Sequence, residues 1–418
     1  MDVPQLRSAL RSVALVVPFA CASQALAAEW LGLREVLRYV EDASPEMASA
    51  AQLRAGAQAE TLTARAYPNP DLEIGGGTWR SRIGGATGSA GTVGFAQLLE
   101  LPSVRGARAE ASEAGLSVAS AQVAAVRLAV GYQARAAFYE LLRRQEEERL
   151  AGESAKLLAE IQGKVETRVA VGEAPRFESV RAEAETLAAQ NTAAAAALRV
   201  DEARAVLRRL GGNSLPAMFR ARGALPPHVE APPLAVLVPQ VLEAHPQLKA
   251  AAAETERARS RLELERALRN PQPTVRAIGS SDPESRHAMV GISIPLPLWN
   301  RREGPIAQAQ AGIGYAAAQV EAQRAQLLRE LDSAYARQGV TQRQISTFER
   351  SLLRSAEEGL RVAEAAYRAG ERSLLEVLDA QRTLRSVRVD YNQALFDRNA
   401  AWLDIERLTA RDPFRVPD

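Results

Sequence analysis

Few side chains in this 418-residue chain are of a kind that does covalent or metal chemistry. It has three histidines (His228, His245 and His287), methionines at Met47, Met218 and Met289 beyond the first residue, and one cysteine, Cys21. They are far apart and show none of the short spacings by which ligands converge on a metal. Gly75-Gly76-Gly77 has no strand-to-helix phosphate context, and no G-x-x-x-x-G-K-[ST] occurs, so nucleotide binding has no support. No nucleophile can be matched to a base. The expectation is no enzyme, no cofactor and no resident metal. What remains is electrostatic. Glu376 and Asp379 stand at i and i+3 on one helical face, beside a glycine-containing turn, Gly370-Glu371, that has a counterpart at Gly172-Glu173. On the residues alone they read either as a solvated helix face or as a charged lining.

The elements that position these acids are written twice. Ser44-Pro45 answers His245-Pro246 and Asn69-Pro70 answers Asn270-Pro271, both 201 residues on. Val93-Gly94 answers Val290-Gly291 at an offset of 197, and Val171-Gly172-Glu173 answers Ala369-Gly370-Glu371 at 198. This period is far longer than that of any solenoid repeat. The expected organisation is a signal peptide over 1–27, a first repeat over 28–212, a Pro- and Gly-rich linker over 213–235, a second repeat over 236–410 and a tail over 411–418. Each repeat has an Ala-rich helix, Asn-Pro, two short alternating strands, a very long helix, a glycine-containing turn and a returning helix. In the first repeat these fall at about 30–66, 71–79, 92–101, 104–170 and 176–210; in the second, at about 236–269, 273–279, 287–298, 304–369 and 373–408.

A helix of about 65 residues rises ~100 Å. Two helices of about half that length, stacked end to end, match it, so each repeat predicts an antiparallel coiled rod with one continuous and one split partner. The last helix shows the seam: Leu384, Val387, Tyr391, Ala394, Ala401, Ile405 and Leu408 recur at steps of three and four, interrupted by Arg398. A helical bundle of another kind would show the same seam.

The strands separate the alternatives. Ala288, Val290, Ile292, Ile294 and Leu296 alternate with polar or small residues, and Val93, Phe95, Leu99 and Leu101 do so in the first repeat, with Gln97 the exception. Such segments suit a membrane β-strand, apolar toward lipid and polar toward a lumen. Gly-rich Arg80 to Gly91 and polar Ser280 to Arg286 read as surface loops, and Trp79, Tyr67 and Trp299 stand at strand ends. Four strands cannot close a barrel, and an open edge in hydrocarbon leaves costly unpaired backbone groups. Three chains give twelve strands and a conducting bore, whereas two would give eight, nearly filled by side chains. The fold class predicted is mainly α with a small β part, an α-barrel of coiled coils under a shared twelve-stranded outer-membrane barrel.

The start of the chain agrees with export. Arg7 and Arg11 precede an apolar run from Val13 to Ala20 and then Ala25-Leu26-Ala27, the pattern of a cleavable signal. Cys21 lacks a branched aliphatic residue three positions before it, as a lipobox wants. No later run of about 20 consecutive apolar residues is evident. The 52 basic and 50 acidic residues are intermixed, with no basic stripe for nucleic acid.

Together the duplication, the paired strands and the segment Tyr367-Arg-Ala-Gly-Glu-Arg372-Ser-Leu-Leu-Glu376-Val-Leu-Asp379-Ala resemble the TolC-type outer-membrane efflux family over essentially the whole chain after the leader. Asn-Pro before the strands and Leu296-Pro-Leu-Trp299-Asn-Arg-Arg302 after them are most similar to the branch serving heavy-metal cation pumps. The resemblance implies a homotrimer in outer-membrane lipid, a periplasmic tunnel, a periplasmic adaptor protein and an inner-membrane resistance-nodulation-division pump. It further implies that Tyr367 and Arg372 hold the tip shut against Glu178, that Glu376 and Asp379 form acidic rings, and that the adaptor meets the turns at Gly172, Glu173, Gly370 and Glu371. The alternative in another class is a periplasmic coiled-coil adaptor or structural protein, which should lack two symmetric strand pairs.

Overall fold

The structure, a computed structural model, describes residues 29–85, 87–227 and 229–415. The predicted leader, with Cys21, and His228 lie outside the described residues. The first repeat contains β1 (Glu29–Leu31), α1 (Leu33–Ala43), α2 (Pro45–Arg65), β2 (Asp71–Arg80), β3 (Thr87–Leu98), α3 (Pro102–Ala170) and α4 (Arg176–Leu210). A short strand, β4 (Phe219–Ala221), follows. The second contains α5 (Leu234–Ala244), α6 (Pro246–Ala267), β5 (Thr274–Ser281), β6 (Arg286–Ser293), α7 (Glu303–Thr347), a π-helical turn (Phe348–Leu352), α8 (Leu353–Arg368) and α9 (Leu374–Leu408).

Three helical expectations are corrected. The first helix of each repeat is two helices, broken at Ser44 and at His245, both at φ −65° and ψ 123°. A residue before proline is driven out of the α region, while Pro45 and Pro246 are accommodated at the start of the next helix, where their missing N–H costs nothing. The long helix of the second repeat slips into the π turn, whereas α3 runs unbroken for 69 residues, ~100 Å. The linker is not irregular throughout: Phe219–Ala221 pairs in parallel with Glu29–Leu31.

That small pairing sits over the main core. Leu31, Phe219 and Ala221 pack with Tyr132, Phe138 and Leu141 of α3, Val200 and Leu207 of α4 and Leu403 of α9. The second repeat's helices meet in a separate cluster built on Leu237, Val241, Leu327, Leu331, Ile405 and Leu408. One stretch within α3, with mean hydropathy 1.4, is long and apolar enough to cross a membrane, contrary to the expectation that no later segment would be. Yet α3 packs along its length on α2, α4, α6 and α9, and its Arg135 is ion-paired to Glu406 at 2.9 Å.

The four longer strands form one antiparallel sheet, ordered β2-β3-β5-β6, leaving β2 and β6 as free edges. Strand β3 begins earlier than expected, at Thr87, so the predicted loop shrinks to the residues between Arg80 and Thr87. Strand β6 ends earlier, at Ser293, because Pro295 and Pro297 cannot donate to a ladder. Register sorts the faces, since directly opposed residues share a side. Leu72, Phe95, Ala277 and Val290 form one row, and Ile74, Val93, Gly279 and Ala288 the next. The other side carries Asp71 and Glu73 on β2, Thr92 on β3, Arg276 and Ser280 on β5 and His287 on β6. Leu72, Ile74, Val290 and Ile292 are each about two-thirds or more exposed, an apolar face without a protein partner in one chain.

Candidate functional site

At the far end of the rod from the sheet, α3 turns into α4 and α8 into α9 through the same geometry. Glu173 N–H reaches Arg168 O at 2.8 Å and Gly172 N–H reaches Val169 O at 3.1 Å; Glu371 to Ala366 at 2.9 Å and Gly370 to Tyr367 at 3.1 Å repeat it. This paired bond pattern closes a helix on a left-handed residue. Gly172 at φ 82° and Gly370 at φ 78° supply it. No neighbouring atom lies within 4 Å of where a side chain on either glycine would start, and Glu173 and Glu371 are exposed beside them. Both turns therefore present bare backbone and a carboxylate at the tip.

Behind the turns Leu374 and Leu378 of α9 pack with Leu158 and Val165 of α3 and Ala182 and Ala189 of α4, with Tyr367 at the edge. This apolar knot aims the polar groups. The Tyr367 hydroxyl donates to Glu178 at 3.3 Å, joining the two repeats. Burial first, and then the Glu178 carboxylate, push the phenol above its ordinary pKa, so it stays a donor. The Arg168 guanidinium lies 5.0 Å from the centre of the Tyr367 ring, a cation–π contact.

Arg372 is not brought to Glu178. From the turn ahead of α9 it donates to Glu376 at 2.7 Å, and Asp379 faces Arg382 at 3.5 Å on α9 itself. Arg382 also bonds Glu185 of α4. Each acid expected to line the entrance thus has an arginine three or four residues away, Arg382 at helical spacing from Asp379 and Arg372 reaching Glu376 from the turn. These links are more than a third exposed, so each is worth only about 0 to 1 kcal/mol. The repeat adds a further point. The first-repeat counterparts of Glu376 and Asp379, at the same offset of 198, are Glu178 and Arg181. The inner acidic position of one repeat is basic in the other.

Arg168, Arg382 and Glu185 were missed in the sequence. Arg382 was legible as the i+3 neighbour of Asp379; Glu185 and Arg168 join the site only through the crossing of α3, α4 and α9, which spacing does not show. Among the described residues no cluster of three or more His, Cys, Asp or Glu is placed to hold a metal.

The outer membrane efflux protein family profile matches residues 36–213 and 237–411, one match for each repeat. The chain is 29% identical over 389 residues to the cobalt-zinc-cadmium resistance protein CzcC of Cupriavidus metallidurans, covering 91% of this chain and 90% of that one. Among solved structures it resembles the CmeC outer membrane channel of Campylobacter jejuni, at TM-score 0.79 and 16% identity, over 90% of this chain and 85% of that one. It also resembles the open-state MtrE outer membrane channel of Neisseria gonorrhoeae, at TM-score 0.73 and 18% identity, over 91% and 89%.

Proposed function

The chain belongs to the outer membrane efflux protein family, and from that premise we propose that this outer-membrane efflux channel carries divalent heavy-metal cations and catalyses no reaction itself. The observation that carries the cargo is the likeness, over nine-tenths of both chains, to a protein named for cobalt, zinc and cadmium resistance. In this reading the channel is the outermost part of a tripartite machine. A periplasmic adaptor meets the turns at Gly172, Glu173, Gly370 and Glu371, and a resistance-nodulation-division pump drives transport.

The tip works as a gate. Tyr367 holding Glu178 ties the two coiled coils of a chain together, and Arg372 and Arg382 hold Glu376 and Asp379 in low-energy pairs. Such weak links suit an entrance that must open, because a bias of a few kcal/mol keeps it mostly shut. When the coils part, the acids are released toward the bore and favour cations over anions.

The test is complementation. In a strain deleted for its own metal-efflux duct but retaining a matched pump and adaptor, the chain should restore growth in cobalt, zinc or cadmium. Rescue of organic-compound resistance without metal resistance would overturn the cargo. In planar bilayers, Tyr367→Phe with Arg372→Ala should raise conductance, and Glu376→Ala with Asp379→Ala should reduce cation selectivity. No change in correctly assembled trimers would remove the gate from these residues.

A further inference from the structure

The sheet's strands alternate in direction from β2 to β6, so a second copy can add its β2 antiparallel to the free edge of β6. The internal duplication specifies how. Within one chain the junction between repeats is β3 against β5; between chains it is β6 against the neighbour's β2, and these strands are repeats of β3 and β5. Val93-Gly94 matches Val290-Gly291, which sets Phe95 on Ile292. The hairpin registers then set Ile74 on Ala277, Gly76 on Gly279 and Pro70 on Pro273, an offset of 203 against 201 at Asn69-Pro70 and Asn270-Pro271, so the second repeat carries two extra residues between its Asn-Pro and its first strand.

Copying the Phe95 to Ala277 pairing onto the seam places Ile292 opposite Ile74 of the neighbouring protomer. The bond from Leu99 N–H to Pro273 O, 2.8 Å, becomes Leu296 N–H to the neighbour's Pro70 O. The register puts Ile294 opposite the neighbour's Leu72. Apolar residues of both chains then share the lipid side, as one continuous barrel requires.

Followed toward the hairpin turns, two residues beyond the β3–β5 ladder, the same register sets Arg286 opposite the neighbour's Arg80. The strands still run together at this level, since the Cα of Gly88 points its missing side chain into Pro283. Both arginines share the face of Leu72 and Val290, the outward one. Both are exposed and have no ion-pair partner among the described residues. Arg82 stands on the adjoining turn. Of the nearby acids, Asp282 is taken up by the Glu284 and Ser285 N–H groups and the Ser285 hydroxyl; Glu284 is exposed on the same turn.

Two cations directly opposed across a strand pair repel each other, unless an anion sits between them. Eight residues separate Leu72 from Arg80, ~27 Å along the strand, or about 20 Å of height at a tilt near 40°, close to the ~25 Å apolar band of such barrels. The pair therefore lies at headgroup level on the outer side. We propose that each seam of the assembled barrel binds a phosphate group of an outer-leaflet lipid between Arg286 of one protomer and Arg80 of the next. Guanidinium forks match phosphate oxygens two at a time. The site does not exist in one chain. It rests on the trimeric outer-membrane reading and is independent of the cargo.

The test uses the full chain as a delipidated, detergent-solubilised trimer. It is offered phosphatidylcholine vesicles with or without bisphosphorylated lipid A, and retained lipid is counted by native mass spectrometry. The wild type should keep up to about three lipid A molecules, one per seam, and dephosphorylated lipid A should not be kept. Arg80→Gln and Arg286→Gln should each weaken retention at least about tenfold, and the Lys variants less. Equal retention by the Gln variants, or by dephosphorylated lipid A, would overturn the site; so would full blockade by millimolar inorganic phosphate, which would mark a site for free anion. Should the Gln variants not assemble, the Lys variants carry the comparison. In a Cys21→Ala chain, Ile74→Cys with Ile292→Cys should cross-link neighbouring protomers on oxidation. Cross-linking only through a pair shifted by two residues would refute the seam from which the site is built.

Discussion

In the first repeat the long helix runs unbroken from Pro102 to Ala170 and buries side chains from Val104 to Val165. In the second repeat the equivalent helix slips at Phe348–Leu352, and its distal part, α8, buries none. Helix α8 is held to α9 by polar links, Arg388 to Glu357 at 3.0 Å among them, and Tyr391 holds Glu349 of the π turn at 3.0 Å. The same plan has been used twice with different burial. One copy is the core of the protomer, while the other leaves the distal coil, α8, without a buried side chain in the single chain. The gate proposed above draws on α8, whose parting costs surface ion pairs, while Leu374 and Leu378 keep α9 packed on the first repeat.

The largest effect expected from that contrast is on stability. Phe138→Ala empties a fully buried site of the first repeat and should destabilise the detergent-solubilised protein by about 3–5 kcal/mol. Val362→Ala, on the exposed face of α8, should cost under about 0.5 kcal/mol in a dissociated chain. Thermal unfolding of both variants measures the gap. Similar losses would show that α8 is packed as α3 is.

The ends of the repeats sharpen the comparison. Gly212 at φ 59° closes α4, and a side chain there would start 2.3 Å from Ala43 O; Ala410 at φ 54° closes α9 in the same left-handed conformation. Gly212→Ala should therefore cost about 2 kcal/mol or more, from strain plus a backbone clash. Ala410→Gly should be neutral or stabilising by up to about 1 kcal/mol. Opposite signs in chemical denaturation are the expected result.

Next in size is a dependence on pH that only the second repeat should show. Where the first has Ser44, the second has His245, whose Nδ1 accepts the Gln247 N–H at 3.3 Å while its Nε2 is buried without a hydrogen-bond partner. Burial, then Arg407 of α9, push its pKa down to about 4, against the pull of Glu330 of α7. Between about 6.5 and 4 the unfolded chain takes up a proton that the folded chain refuses, so stability falls as pH falls through that window, on the order of 2 kcal/mol. His245→Ser should flatten that slope in melting curves from pH 7 to 4. An unchanged slope would assign the acid sensitivity to other groups.

The smallest effect is at the tip, where Tyr367→Phe removes one part-buried hydrogen bond worth about 1 kcal/mol. It should raise the open fraction of single channels several-fold and leave melting nearly unchanged. The reverse pattern would make Tyr367 a packing residue.

Much of this was legible in the chain because it is written twice. The offsets located the strands, the tip turns and the crossing between repeats, and the Glu178 to Tyr367 link followed from resemblance. The breaks at Ser44 and His245 were also visible, since each precedes a proline, yet the alanine-rich periodicity on either side masked them. Strand β6 was drawn too long because apolar alternation continues through Pro295 and Pro297, which keep the pattern while lacking the donor. The arginine partners of Glu376 and Asp379 show why a list of acids does not describe an entrance: charge there is set by neighbours three or four residues along the chain. Pairing of Phe219–Ala221 with Glu29–Leu31 had no local signal, being three residues long and far from its partner.

That last pairing also constrains the order in which the chain can be finished. Strand β1 is among the first described parts of the chain, but its hydrogen-bonding partner lies about 190 residues further on. Loop closure over such a distance carries an entropy cost on the order of 5 kcal/mol, repaid only when Leu31, Phe219 and Ala221 enter the main core together. The first repeat therefore cannot complete its folding locally. Its core needs the crossing segment and, through Leu403 of α9, the far end of the second repeat as well.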